Sequence, residues 1–109
     1  MPKIVAALLP NYLTEIQQLY GSHLKNVILY GSYARGDYTE DSDIDIMILV
    51  DLPNEELDFY LDPLAELGFR YNVEHDIWIT PIVKNIEHFR NKVSSYPFYK
   101  RKLLFITGV

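Results

Sequence analysis

Between Leu9 and Tyr20 the apolar residues recur at helical spacing, with Leu9, Tyr12, Leu13, Ile16, Leu19 and Tyr20 on one stripe. Pro10 suits the opening turn, where a residue has no intrahelical use for its N–H, and Gly21 is a natural stop. A core helix ending at Tyr20 is therefore expected. From Lys25 to Tyr30 the pattern becomes a short apolar run closed by Gly31, which reads as a strand. A second run, Ile46-Met47-Ile48-Leu49-Val50, is apolar on both faces and predicts a central buried strand. The alternation Asp43-Ile44-Asp45 opens it, so the strand is expected over Asp43–Asp51.

Pro53-Asn54-Glu55-Glu56 reads as a helix start with a capping Asn and an acidic first turn. Leu57, Tyr60, Leu61, Leu64 and Leu67 continue it as an apolar stripe, and Gly68 is the expected terminator. Pro63 inside the stripe predicts a kink or two short helices. Tyr71 to Val83 is expected to be the next strand region, chiefly Asp76–Val83. Alternation there puts Glu74, Asp76 and Trp78 on one face and Val73, His75, Ile77 and Ile79 on the other. An Asn85-capped helix through Ile86, Phe89 and Val93 follows, then a Pro97-started segment, PFYKRKLLF. The pattern as a whole predicts an α/β (α+β) domain, a small twisted mixed sheet with helices mainly on one face.

Length and composition narrow this picture. With 109 residues and 49% hydrophobic content, residues 1–109 form one domain with one core. The apolar stretch Ile4–Leu9 is too short for a signal sequence and no run is long enough to span a membrane, so a cytoplasmic protein without membrane contact is expected. The chain has no cysteine, which excludes disulfides and thiolate metal sites. His23, His75 and His88 lack ligand spacing, which disfavours zinc. Net charge is −5 but uneven. Residues 1–36 carry three bases against one acid, residues 37–76 thirteen acids against one base, and residues 77–109 six bases against one acid. So acidic a middle repels a nucleic-acid backbone, and direct nucleic-acid binding is disfavoured. Lys100, Arg101 and Lys102, beside Tyr96 and Tyr99, are either a solvated face or a contact to RNA, nucleotide or an acidic partner.

The candidate chemistry lies in Tyr30–Asp51, YGSYARGDYTEDSDIDIMILVD. On an extended strand Asp43 and Asp45 share a face with Cα atoms roughly 6.5 Å apart. Two carboxylates so placed repel each other unless a cation lies between them, and hard oxygen ligands suit Mg²⁺ or Mn²⁺ better than Zn²⁺. Gly31 lets backbone approach a ligand, and Ser32 adds a hydroxyl beside main-chain N–H groups, a combination that can cradle phosphate. Tyr33 to Arg35 can form a short turn of helix behind it. Arg35 either contacts phosphate or pairs with Asp37 or Glu40. No Gly-Lys-Ser/Thr follows, so this is not a Walker A loop. Nor is it a calcium loop starting at Asp41, since the sixth position is Ile46 and the twelfth Leu52.

Gly31-Ser32, ten residues, then Asp43-x-Asp45 resembles the signature of the minimal nucleotidyltransferases of the polymerase-β superfamily. Arg35-Gly36 and Ser42 match the same block, and the resemblance extends over nearly the whole chain. It implies the polymerase-β-like nucleotidyltransferase fold and an enzyme using ATP with Mg²⁺ or Mn²⁺. It further implies that Asp43 and Asp45 hold metal and that Gly31 and Ser32, with Arg35 and Ser42, serve the nucleotide phosphates. A third carboxylate, as metal ligand or as base, is expected on a neighbouring strand. Asp76 is the choice and Glu74 the substitute.

Larger relatives add a helical domain, which this chain has no room for, so the missing surface must come from a partner or a second copy. The resemblance thereby points to two-gene toxin–antitoxin systems, in which a minimal nucleotidyltransferase antitoxin accompanies a helical HEPN-type toxin and modifies its tyrosine with AMP. Transfer to a small-molecule acceptor, as in aminoglycoside-type relatives, and inhibition of a partner by contact alone are the competing readings.

Overall fold

The computed structural model describes residues 2–92 and the strand 104–108. Helix α1 (Lys3–Tyr20) leads through a 3₁₀ turn into strand β1 (Leu24–Tyr30), and a single helical turn, α2 (Ser32–Arg35), precedes β2 (Ile44–Val50). A 3₁₀ helix (Asn54–Tyr60) runs into α3 (Leu61–His75), followed by β3 (Ile79–Asn85), α4 (Ile86–Lys92) and β4 (Leu104–Gly108). The four strands form one mixed sheet in the order β3-β2-β1-β4, with β1 antiparallel to both neighbours and β2 parallel to β3.

Strand β2 is central because it can be buried on both sides. Ile44, Ile46, Ile48 and Val50 face the main core beneath α1 and α3, while Met47 and Leu49 pack with Ile28 against Ile86 and Phe89 of α4. Only Asp45 interrupts this burial. Among the described residues the two larger helices thus share one face, and α4 packs on the other. Asp45 lies on that second face, two residues before Met47. Asn85 seats α4 as expected, its Oδ1 accepting the His88 N–H at 3.0 Å.

Several elements depart from the sequence reading. Helix α1 starts at Lys3, so Pro10 stands inside the helix and not in its opening turn. Asn54 is the first residue of its 3₁₀ helix, preceded by Pro53 without a side-chain cap, whereas two successive helices do occur around Pro63 as expected, with Pro63 in the first turn of α3. Gly68 does not end α3. Burial continues at Leu64, Leu67 and Tyr71, a helical period, and the packing offsets the roughly 1 kcal/mol that an interior glycine costs. The helix stops at Asp76, whose φ of 55° is left-handed and whose N–H donates to the Asn72 carbonyl at 2.9 Å. The strand expected over Asp76–Val83 therefore begins only at Ile79, and Glu74 is on a helix. Strand β4 was not anticipated, and the Tyr96–Lys102 aromatic and basic cluster lies outside the described residues.

The main core is rich in tyrosine. Tyr12 meets Tyr71 edge-on at 5.5 Å, and Tyr71 donates its hydroxyl to Glu15 Oε2 at 2.9 Å, so that burial and this bond push its phenol up to about 12. The buried hydroxyls of Tyr12 and Tyr20 have no hydrogen-bond partner among the described residues. Removing one without changing ring shape relieves a desolvated polar group. Tyr12→Phe is expected to leave stability unchanged or raise it by up to about 1 kcal/mol. Urea unfolding measures this, and a loss of more than about 1 kcal/mol would contradict it.

Candidate active site

The site grows out of the end of β1. Beyond Tyr30, Gly31 takes φ 73° and ψ −151°, a region closed to residues with a side chain, and this turns the chain into α2. The Arg35 N–H donates to the Gly31 carbonyl at 3.0 Å, which leaves the amides of Ser32, Tyr33 and Ala34 at the start of the turn without helical partners. Gly36, at φ 88°, ends the turn. The loop then returns through a tight bend. The Ser42 N–H donates to the Thr39 carbonyl at 3.1 Å, and Ser42 Oγ accepts the Thr39 N–H at 2.8 Å. Ser42 thus shapes the approach to Asp43, and its hydroxyl is engaged locally.

Asp45 lies opposite Tyr30 in the β1–β2 ladder, and Gly31 is pressed against it. A Cβ added at Gly31 would collide with Asp45 Oδ2 and come within 3.0 Å of Asp45 Cγ. Two pieces ten residues apart are therefore in direct contact, and the Gly-Ser turn and the carboxylate pair form one site. Burial, and then the Asp43 carboxylate, raise the Asp45 pKa above its ordinary value, while the Arg35 guanidinium pulls it down. Arg35 Nε also donates to exposed Asp37 Oδ2 at 3.3 Å, so it pairs with Asp37 and acts on Asp45 at once. Two adjacent carboxylates, one of them half-buried, are a donor set fitted to a hard divalent cation.

Asp76 is placed differently. From its position capping α3 it lines a cavity of about 420 Å³ with Ser42, Ile44 and Trp78, and neither Asp43 nor Asp45 is among the walls. Among the described residues no group of three or more His, Asp or Glu side chains is arranged to hold a metal ion. The β2–β3 register instead sets Thr80 beside Asp45, and Trp78 precedes β3, its carbonyl accepting the Ile44 N–H at 2.8 Å. Tyr30 and Thr80, the cross-strand neighbours of Asp45, were missed from the sequence. Register across a sheet depends on remote residues, and no local signal specifies it.

A mixed sheet whose central strand opens on paired aspartates, packed against a glycine turn at the end of its antiparallel neighbour, defines the polymerase-β-like nucleotidyltransferase fold. The chain belongs to the nucleotidyltransferase domain family, which matches residues 9–106, and is an enzyme of that class. Two relatives from Methanocaldococcus jannaschii, each named as a candidate protein adenylyltransferase, are similar over most of their length. One is 37% identical over 92 residues, covering 84% of both chains. Another is 34% identical over 96 residues, covering 84% of this chain and 94% of the relative. Among solved structures, a candidate nucleotidyltransferase from Sulfolobus solfataricus superposes with a TM-score of 0.65 at 21% identity, covering 94% of this chain and 78% of that one. A toxin–antitoxin complex with AMP-PNP contains a chain with a TM-score of 0.54 at 20% identity, covering 94% of this chain and 75% of that one. The two structures share the fold. Among the described residues no helix is long and apolar enough to cross a membrane.

Proposed function

We propose that this nucleotidyltransferase moves AMP from ATP to a hydroxyl on a partner protein, and that it serves as the antitoxin of a toxin–antitoxin pair whose HEPN-type toxin offers a tyrosine as acceptor. The observation that carries the chemistry is the packing of Gly31 against Asp45, which sets the Gly-Ser turn directly against a carboxylate. The relatives named as candidate protein adenylyltransferases, matched over 84% and 94% of their lengths, favour a protein acceptor. The toxin–antitoxin setting follows from the sequence resemblance, and the fold shared with a toxin–antitoxin component agrees with it.

In this reading the α-phosphorus of ATP forms a bond to the acceptor oxygen and its bond to pyrophosphate breaks, the acceptor proton passing to solvent or to a nearby carboxylate. The amides at the start of α2 and the Ser32 hydroxyl orient the phosphates, and Gly31 keeps the approach open. Asp43 and Asp45 would hold Mg²⁺ or Mn²⁺, which supplies charge stabilisation for the oxygens of the displacement. Arg35 balances negative charge near Asp45, and Ser42 holds the loop that presents Asp43. Asp76, which caps α3 in a cavity that excludes the pair, is assigned no step.

The test is transfer of label from α-labelled ATP with Mg²⁺ to the co-encoded partner. Label on the partner, lost on tyrosine substitution there, is the expected result. Label on an aminoglycoside and not on protein would establish the small-molecule reading. Silencing of the partner with no label anywhere would establish inhibition by contact.

A further inference from the structure

The cavity beside Asp76 shares Tyr33 and Ser42 with the site described above but holds neither Asp43 nor Asp45. Its walls combine aromatic surface, Tyr33 and Trp78, with three carboxylates, Glu40, Asp41 and Asp76. Among the described residues no lysine or arginine lines it, and none forms an ion pair with those three acids. Trp78 is 61% exposed, an indole face left open at the rim. A triphosphate is repelled from such a pocket, whereas a guanidinium or ammonium gains from the carboxylates and from the ring.

Position relates the cavity to the chemistry. Ser42 and Ile44 line it, but Asp43, between them in sequence, does not, because successive strand residues face opposite ways. The cavity therefore opens on the helical side of the β2 mouth and the aspartates on the other.

We propose that this cavity is the anchoring cleft for a basic segment of the acceptor protein, an arginine or lysine side chain lying over Trp78 between Glu40, Asp41 and Asp76. This rests on the reading that the acceptor is a protein.

Trp78 is the one tryptophan of the chain, so its emission reports on the cleft without any transfer reaction. The full chain, free of ATP and metal, is titrated at low salt with acetyl-Gly-Arg-Gly-Arg-Gly-amide and with the peptide carrying Glu for Arg. A saturable change with the basic peptide only, weakened about threefold or more in Glu40→Gln/Asp41→Asn, is expected. No saturable change, an equal response to the acidic peptide, or a response to metal-free ATP in place of the basic peptide overturns the cleft. Basic-peptide binding with no label transfer to any protein would overturn the protein-acceptor reading and keep the cationic cleft. Label transfer without peptide binding would do the reverse.

Discussion

Replacement of both aspartates, Asp43→Asn/Asp45→Asn, is expected to stop label transfer and at the same time to make the chain more heat-stable at neutral pH. The loss of activity should reach at least about 10²–10³-fold, the scale of removing one preorganised electrostatic contact from a transition state. The stability gain follows from the direction of the Asp45 shift. Burial and the adjacent Asp43 raise its pKa in the folded chain, so the folded state holds that proton more tightly than the unfolded one. The stability linked to this group is fully present below the unfolded pKa and is lost as pH rises through the raised folded value. The amide pair removes the desolvated charge at Asp45 and the carboxylate repulsion that cause the shift.

Mg²⁺ provides the complementary measurement. Binding to the folded chain alone raises its melting temperature, so the wild-type chain should respond to millimolar Mg²⁺ and the double variant should not. Thermal unfolding of both chains with and without Mg²⁺, beside the label assay, tests all three outcomes. A variant that still transfers label, or that melts below wild type without metal, would remove the pair from the centre of the site.

Gly31→Ala should damage the site from the other side. The backbone at φ 73° and ψ −151° is a conformation nearly exclusive to glycine, and a side chain there costs of order 1–3 kcal/mol. The new methyl would also collide with the Asp45 carboxylate, so either Asp45 leaves its position or the turn before α2 shifts. Both outcomes separate the glycine turn from the pair, and at least a tenfold loss of transfer is expected, since misplacement by about 1 Å can cost some 10²-fold. Gly36→Ala is the control. Its φ of 88° is strained for alanine, yet a Cβ there meets nothing within 4 Å, so it should cost stability while leaving most of the activity. Equal activity loss in the two variants would mean that backbone strain, and not contact with Asp45, is what Gly31 relieves.

The parts of the molecule that were legible in the sequence are those whose signals are local. The run after Asp45 is apolar at every position, which marks a strand buried on both faces, and β2 is that strand. Asn85 carries a side chain suited to capping the helix that follows, and it does so. Where a residue admits two local meanings, the reading failed. Gly68 can stop a helix or lie within one, and burial of Tyr71 on the far side of it extends α3 to His75. That extension takes Glu74 off the expected strand and leaves Asp76 as a helix cap.

The central strand, the aspartates at its mouth and the glycine turn after the preceding strand are each set by residues within a few positions of one another, and so are local. Packing between distant stretches sets Gly31 on Asp45, places Tyr30 and Thr80 beside Asp45, and pairs β4 with β1. It also places Asp76 at a second, acidic cavity beside Trp78. Strand register and helix seating are settled by burial of residues far apart in the chain, and neither is encoded within a single stretch.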